Sequence, residues 1–488
     1  MSTSTDVDLR AIAEQVLRAR GFNPRFPPEV QQQVSQIQLH PPAVAPGEDV
    51  RDLRALLWSS IDNDDSKDLD QIEVAERVSG NLTKVMVGIA DVDAFVARKS
   101  AIDSHAAREA TTVYTGVRVF PMLPEQLSTG ITSLLEGADK LCVVTEFVVD
   151  NSGLIQSSNV YRAVVRNQAQ LTYSAVGSWL EGGNSGGAKV TSSPELQAQI
   201  RLQSEVAERL KQQRHEHGAL NIESTEVHPL MSGDQIVGIV NQEKNRASEL
   251  IEELMIAANE SIARMFEAKK VSSIRRVVKV PERWDRIVEL AAQHGGHLPA
   301  QPVSKALNDF LTRRKAEDPD HFADVSLTVV KLMGPGEYVL ERPGDSETGH
   351  FGLAVQDYTH STAPNRRFPD IVTQRLIKSV LSGGSAPYSD NDLTAIAKNC
   401  TERQDAARKV QRDMQKRIAA VALRHNIGQT FDAIVTGATS HGTFVRIMNP
   451  HAEGMLVSGH QGVDVGDKLR VRLVNTDVQR GYVDFAKA

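Results

Sequence analysis

Residues 59–75 read SSIDNDDSKDLDQIEVA, and six acids (Asp62, Asp64, Asp65, Asp68, Asp70 and Glu73) fall inside this one window. Carboxylates crowded this closely repel one another, so the segment needs either solvent or cations. Three readings compete. As an EF-hand loop it places Asp62, Asp64 and Ser66 at positions one, three and five and Glu73 at twelve. The sixth position of that loop needs Gly for its sharp turn, and here it is Lys67. The preceding LRALLWSSI also reads at least as well as a strand as it does a helix. A solvated acidic loop is the ordinary fate of a charge run. Against it, Ile61 and Leu69 interleave apolar residues with the acids, which marks the segment as half buried. The third reading is a magnesium site for phosphoryl chemistry. Mg²⁺ takes oxygen ligands, commonly one or two carboxylates plus waters and substrate phosphates, and two such ions clamp the attacking and leaving oxygens of a phosphodiester. Asp68 and Asp70 are two apart and share a face on an extended segment. Asp62 approaches from the other side of a tight loop. In this reading Asp64, Asp65 and Glu73 are solvated.

The surrounding chain limits what such a site belongs to. It has 488 residues, 40% of them hydrophobic and 24% charged, which is ordinary globular composition with room for several domains. The net charge of −7 does not announce nucleic acid, so a polyanion partner needs local basic clusters or metal ions. Cys142 and Cys400 show no CxxC spacing and fit a reduced, cytoplasmic protein better than a disulfide framework. MSTSTDVDLR has neither a basic nor an apolar leader region, so no secretory signal is expected. No membrane helix is expected either.

Along the chain, residues 8–36 read as helix, broken by Gly21 and Pro24. Two short helices around a glycine turn fit a small helix-turn-helix and a helical cap equally well. HPPAVAPGED (40–49) reads as a linker. From about 50 to 175 the pattern is mostly strands and loops, with VMVGIADVDAFV (85–96) and LCVVTEFVVD (141–150) as buried strands. Residues 192–217, 248–270 and 390–425 read as helices. The last 60 residues turn to short alternating strands with glycine turns, the pattern of a small β-barrel.

Five blocks then stand in series: SSIDNDDSKDLDQ, VMVGIADVDAFV, TTVYTGVRVFPMLPEQLS (111–128), ELIEELMIAAN (249–259) and DYTHSTAPNRRFPDIVTQRLI (357–377). Each alone is weak; in this order and spacing they resemble the catalytic domain of the RNase II / RNase R family. The resemblance implies an α+β chain: a mixed α/β, RNB-type catalytic domain over residues 50–425, a short helical region over 1–45, and an OB-fold barrel over 428–488. The activity it implies is processive 3′-to-5′ hydrolysis of single-stranded RNA to 5′-mononucleotides in RNA turnover, with Mg²⁺ and Mn²⁺ as an alternative ion. The expected enzyme is a cytoplasmic monomer without membrane contact. A degenerate family member that binds RNA without cutting it is the alternative.

The resemblance assigns residues as well. Asp62, Asp68 and Asp70 match the metal-binding aspartates, while the family's fourth aspartate falls on Gln71, whose amide ligates without charge. Arg366 matches the catalytic arginine, whose guanidinium fork fits a phosphate. Its neighbour Arg367 is assigned to RNA as well, with a surface ion pair as the plainer reading. Tyr114 and Tyr173 match aromatics that contact bases; stacking on them is worth ~1–3 kcal/mol per base and reads no sequence. The family's other stacking aromatic falls near Ile222. Glu252 matches a carboxylate that holds the terminal ribose, where a 2′-hydroxyl contact separates RNA from DNA; Glu253 is its rival. His360 is not expected to act as a base. In the barrel, His441, Phe444 and Arg446 fall where RNA is held, and Lys468, Arg470 and Arg472 alternate along one strand. Two basic stretches, 264–286 with eight Lys/Arg and 402–424 with seven, are expected to line the RNA path. The family usually begins with two cold-shock barrels, whereas about 50 residues precede the catalytic blocks here.

Overall fold

The computed structural model describes residues 7–44, 46–47, 49–78, 80–183, 187–222, 226–232, 235–242, 244–345, 349–439, 442–447, 450–463 and 467–488. A seven-stranded sheet organises the chain. Its order is Val50–Asp52, Ile155–Arg166, Asp139–Val149, Thr83–Ala90, Gln71–Arg77, Ser59–Asp62 and Ala169–Thr172. The five central strands pair antiparallel, and each outermost strand pairs parallel to its neighbour.

Strand alternation splits the acidic run between two faces. Ile72 and Val74 enter the core on one side with Trp58, Met86, Val144 and helix Phe368–Ser382. Ile61, Ala75, Val85 and Val87 enter the core on the other, under helices Pro194–Glu216 and Arg246–Ala268. Glu73 has the parity of Ala75 and so belongs to the second face. Burial on both faces explains why Thr83–Ala90 and Asp139–Val149 read as near-continuous apolar runs. The run 85–96 does not stay extended: the strand ends at Ala90, and Asp91 accepts from the Ala94 amide to cap a short turn.

The N-terminal segment forms helices Leu9–Ala19 and Pro28–Leu39. Leu9, Ile12, Val16 and Leu17 pack with Val410, Met414 and Ile418 of helix Asp390–Leu423, while Val30 and Val34 join the main core. Their apolar faces are used against the rest of the chain, as in a cap. Helices Trp284–Gln293, Ser304–Glu317 and Pro319–Met333 share a core of their own around Trp284, Phe310 and Phe322. The sequence reading did not separate this unit.

The C-terminal strands Thr430–Thr439, Gly442–Ile447, Ala452–Ser458, Tyr482–Lys487 and Lys468–Asp477 close into a five-stranded barrel in that order. Val445, Leu456, Val471 and Phe485 fill it, and Ala419, Ala420 and Leu423 from the long helix complete it. Lys468, Arg470 and Arg472 point outward as their alternation required. The fold is thus the expected mixture of helix and sheet with a closed terminal barrel. Among the described residues no helix is long and apolar enough to cross a membrane.

Candidate active site

The acidic loop crosses one end of the sheet. Strand Ser59–Asp62 meets strand Gln71–Arg77 at Ser59 and Glu73, and residues 63–70 loop outward between them. Leu69 is pinned inward: its amide donates to Ser133 Oγ at 3.0 Å and its carbonyl accepts from the Leu134 amide at 3.0 Å. Asp68 and Asp70 therefore turn the other way, as their spacing required. Asp70 Oδ1 accepts from the Asn365 amide at 2.9 Å, and Arg366 Nε lies 3.4 Å from Asp70 Oδ2. Tyr114 donates its hydroxyl toward Asp68 Oδ2 at 3.5 Å. Gln71 donates its side-chain amide to Asp62 Oδ1 at 3.0 Å, so it neither turns away nor faces the loop with its oxygen.

These acids are poorly solvated. Burial pushes Asp62 up to about 6, against the Gln71 hydrogen bond and the Arg366 charge that pull it down. Burial pushes Asp70 up to about 7, with Arg366 again opposing. Asp68 is raised for the same reason. Asp62 Oδ2 and Asp70 Oδ2 are buried without a hydrogen-bond partner. Oxygen donors that are desolvated and unpartnered fit a hard divalent cation. Among the described residues, however, no three acidic, His or Cys side chains converge as a cage. Asp62, Asp68 and Asp70 could hold such an ion only with waters or a phosphate completing the shell. Asp64 and Asp65 are exposed as expected, although Asp64 accepts from Ser174 Oγ at 2.6 Å. Glu73 is the correction: it is fully buried, not solvated.

The APNRRFPD segment places the arginine. Asp370, fully buried in the first turn of helix Phe368–Ser382, accepts from the Ala363 amide at 2.8 Å and from Arg367 Nε and Nη2 at 2.9 and 2.7 Å. That fork consumes Arg367 inside the protein. The Arg367 side chain stays 22% exposed while Asp370 is fully enclosed. The Arg366 carbonyl accepts from the Thr112 amide at 2.9 Å, tying it to the hairpin of Val113–Tyr114 and Val119–Phe120. The Arg366 side chain stays 48% exposed beside Asp70. Pro369 lies within the first turn of helix Phe368–Ser382, where its missing N–H costs no hydrogen bond. His360 is half-buried, its Nδ1 2.8 Å from the Tyr338 hydroxyl, and burial lowers its pKa well below the ordinary value.

Tyr173 opens helix Tyr173–Leu180, its carbonyl accepting from Asn245 Nδ2 at 2.8 Å, and the charges of Asp62, Glu73 and Glu252 reach its phenol. Glu252 pairs with Lys244 Nζ at 2.6 Å at the start of helix Arg246–Ala268. Glu253 is buried in a fork with Arg214, with Arg214 Nε donating to Oε2 at 2.9 Å. Both glutamates line the cleft described next, Glu253 buried in its Arg214 pair and Glu252 half-exposed in its Lys244 pair.

A cleft of about 1650 Å³ opens over the acidic loop. Asp64, Asp65, Asp68 and Tyr114 line one end, Arg446, His451 and Glu453 of the barrel the other, with Glu252 and Ile222 between. Lys409, Arg412 and Lys416 of the long helix form one wall, and Lys315 and Lys331 of the three-helix unit another. The basic stretch 402–424 therefore reaches the cleft. The stretch 264–286 does not: Arg275 pairs with Asp357 at 2.9 Å, and Arg276 is buried over the Tyr338 ring. Arg446 lies 3.6 Å from Glu453 and 4.0 Å from Asp324 across the cleft. Phe444 is half buried on the same strand, and His441 lies outside the described residues.

The structure thus sets carboxylates at strand ends, an arginine beside them and a cleft that reaches a small barrel. A sequence model of the RNB domain matches residues 50–383, and one of the RNase II-type exonuclease C-terminal S1 domain matches residues 429–488. The chain belongs to the RNB-domain family. Ribonuclease R of Thermotoga maritima is 32% identical over 472 residues, which cover 89% of this chain and 64% of that protein. The chain therefore spans somewhat less than two thirds of that relative. The structure of Mycoplasma genitalium RNase R in complex with ribose-methylated single-stranded RNA superposes with a TM-score of 0.86 at 21% identity, over 99% of this chain and 78% of that one. Yeast Ssd1, described as a pseudonuclease, shares the fold at a TM-score of 0.67 and 15% identity, over 95% of this chain and 57% of that one.

Proposed function

We propose that this chain is a metal-dependent 3′-to-5′ exoribonuclease that hydrolyses single-stranded RNA to 5′-mononucleotides, working as a cytoplasmic monomer. The observation that carries it is the Arg366–Asp70 pair at 3.4 Å, next to Asp68, which lines a cation-walled cleft with Tyr114, and to Asp62, whose buried Oδ2 has no hydrogen-bond partner. The terminal phosphodiester sits over Asp68 and Asp70, and Arg366 leaves Asp70 to grip the phosphate as negative charge develops. Tyr114 and Tyr173 hold the last bases by their ring faces, and Glu252, shared with Lys244, accepts from the ribose hydroxyls. Asp62, Asp68 and Asp70 would hold Mg²⁺ or Mn²⁺. When bound, such an ion offsets the phosphate charge and makes water a better nucleophile. Lys409, Arg412 and Lys416 track the upstream backbone, and the barrel, through Phe444 and Arg446, meets the strand at the far end. The domain limits 1–45, 50–425 and 428–488 belong to this proposal.

The second reading is an RNA-binding protein without turnover. The neutral Gln71 and the sharing of this fold with a pseudonuclease favour it. Incubation of 5′-labelled single-stranded RNA with the protein and Mg²⁺ separates the two. The exoribonuclease gives progressive shortening that EDTA stops; full-length RNA that persists while remaining bound selects the second reading.

A further inference from the structure

The acidic loop and the arginine segment lie far apart in sequence, Asp70 and Asn365 by 295 positions. One short segment holds both. Leu127–Ile131 form a single π-helical turn, which the Thr132 amide closes on the Leu127 carbonyl at 3.0 Å. Such turns are rare and recur at functional sites. Lys140 Nζ, on strand Asp139–Val149, donates to the Gly130 and Ile131 carbonyls at 2.7 and 2.8 Å and fixes the turn to the sheet. The two hydroxyls that follow the turn serve different partners. Ser133 Oγ accepts from the Leu69 amide at 3.0 Å and donates to the Lys67 carbonyl at 2.7 Å, gripping the acidic loop on both sides of Asp68. Thr132 Oγ1 shares its proton between Asn365 Oδ1 at 2.6 Å and the Leu127 carbonyl at 2.8 Å. The Asn365 amide in turn donates to Asp70 Oδ1. All three side chains are buried, and Asn365 Nδ2 has no hydrogen-bond partner. A buried donor without a partner costs stability, so an apolar residue would serve packing better at 365. What asparagine adds there is the bond to Thr132.

We propose that Thr132, Ser133 and Asn365 are positioning residues whose side-chain hydrogen bonds keep Asp68 and Asp70 in register with Arg366. None of the three lines the cleft. They act on the reacting groups only through the acidic loop and the arginine segment. That this register serves phosphodiester cleavage rests on the proposed function; the tie between the two segments does not.

The test compares Thr132→Val, Thr132→Ser, Ser133→Ala and Asn365→Leu with the wild type, each as the full chain. Thr132→Val keeps the side-chain volume and loses the hydroxyl. It should speed backbone hydrogen exchange over residues 363–367 and leave RNA affinity unchanged. It should also slow single-turnover cleavage by about tenfold or more, since about 1 Å of misplacement costs about 10²-fold. Thr132→Ser should restore both exchange and rate. Ser133→Ala should speed exchange over residues 67–70 in the same way. Asn365→Leu removes the orphaned donor, so it should melt no lower than the wild type and yet cleave about tenfold more slowly. A residue that only packs would not separate stability from rate. Exchange over 363–367 that is the same in Thr132→Val and the wild type overturns the proposal. So does a lost rate that Thr132→Ser leaves unrestored, or an Asn365→Leu chain that loses stability and rate together. A wild type that does not cleave labelled RNA refutes the exoribonuclease reading alone, and exchange then decides whether the tie exists.

Discussion

Replacing Asp70 with Asn should make the metal-free protein more stable at neutral pH. In the unfolded chain Asp70 ionises near its ordinary 3.8, whereas burial holds it near 7 in the folded chain. Between those values the folded state keeps a proton that the unfolded state releases. A raised acid supports folding below 3.8, and that support is lost as the pH climbs to about 7. The gap of about three pH units is worth about 4 kcal/mol at 1.4 kcal/mol per tenfold. Asp70 is fully enclosed, so solvent screens little of this. The substituted amide retains an oxygen for the Asn365 backbone N–H, and the pull of Arg366 on the carboxylate is already contained in the value near 7. Asp70→Asn should therefore exceed the wild type by about 4 kcal/mol at pH 7.5 and by only about 1 kcal/mol at pH 4.5. Urea unfolding in EDTA at the two pH values, followed by tryptophan fluorescence, measures the difference. Saturating Mg²⁺ should shrink it, because the ion stabilises only the charged site. A variant less stable than the wild type at pH 7.5, or a difference that ignores pH, refutes the reasoning.

Other expectations address the cleft. Arg366→Ala should lower single-turnover cleavage by about 10²–10³-fold with little change in RNA affinity; an equal loss of affinity would make it an anchor instead. Tyr114→Ala should weaken RNA binding by ~1–3 kcal/mol in filter binding while Tyr114→Phe stays near wild type. If Phe costs as much as Ala, the hydroxyl on Asp68 matters and the ring face does not. Lys409→Gln with Arg412→Gln should reduce the slope of log affinity against log salt by about 1.4, at about 0.7 per single-strand contact. Lys269→Gln with Lys270→Gln, outside the cleft, should leave the slope alone.

The sequence announced the site better than its surroundings. The spacing of Asp68 and Asp70 was legible because Leu69 must point inward, and the helices at 194–216 and 246–268 follow from their apolar periodicity. Glu73 was misjudged because a charge run carries no label for the residue at which a loop becomes a strand. Once the strand begins at Gln71, parity alone sends Glu73 inside. Arg275 and Arg276 were misjudged for a related reason: a basic cluster looks the same whether its strand lies at the surface or, as with Ser273–Val277, is buried throughout. Arg367 needed Asp370, three residues on, to be seen as a buried fork. The three-helix unit escaped because its apolar residues face one another and not the main sheet.

The helix Asp390–Leu423 lies wholly between the two matched regions, which end at 383 and resume at 429. Its first turns bury Leu393, Ala397 and Cys400 in the catalytic core, its middle carries the N-terminal helix, and its last turn completes the barrel. Sequence comparison thus treats as a spacer the segment that three hydrophobic cores share. The modules are separable on paper and inseparable in packing. Exchanging the barrel for that of a relative would graft cleanly only if the host kept Ala419, Ala420 and Leu423, or if the new barrel were remade to fit them. Modularity in this chain is a property of how it was assembled, and the long helix is the seam that now prevents it from being taken apart.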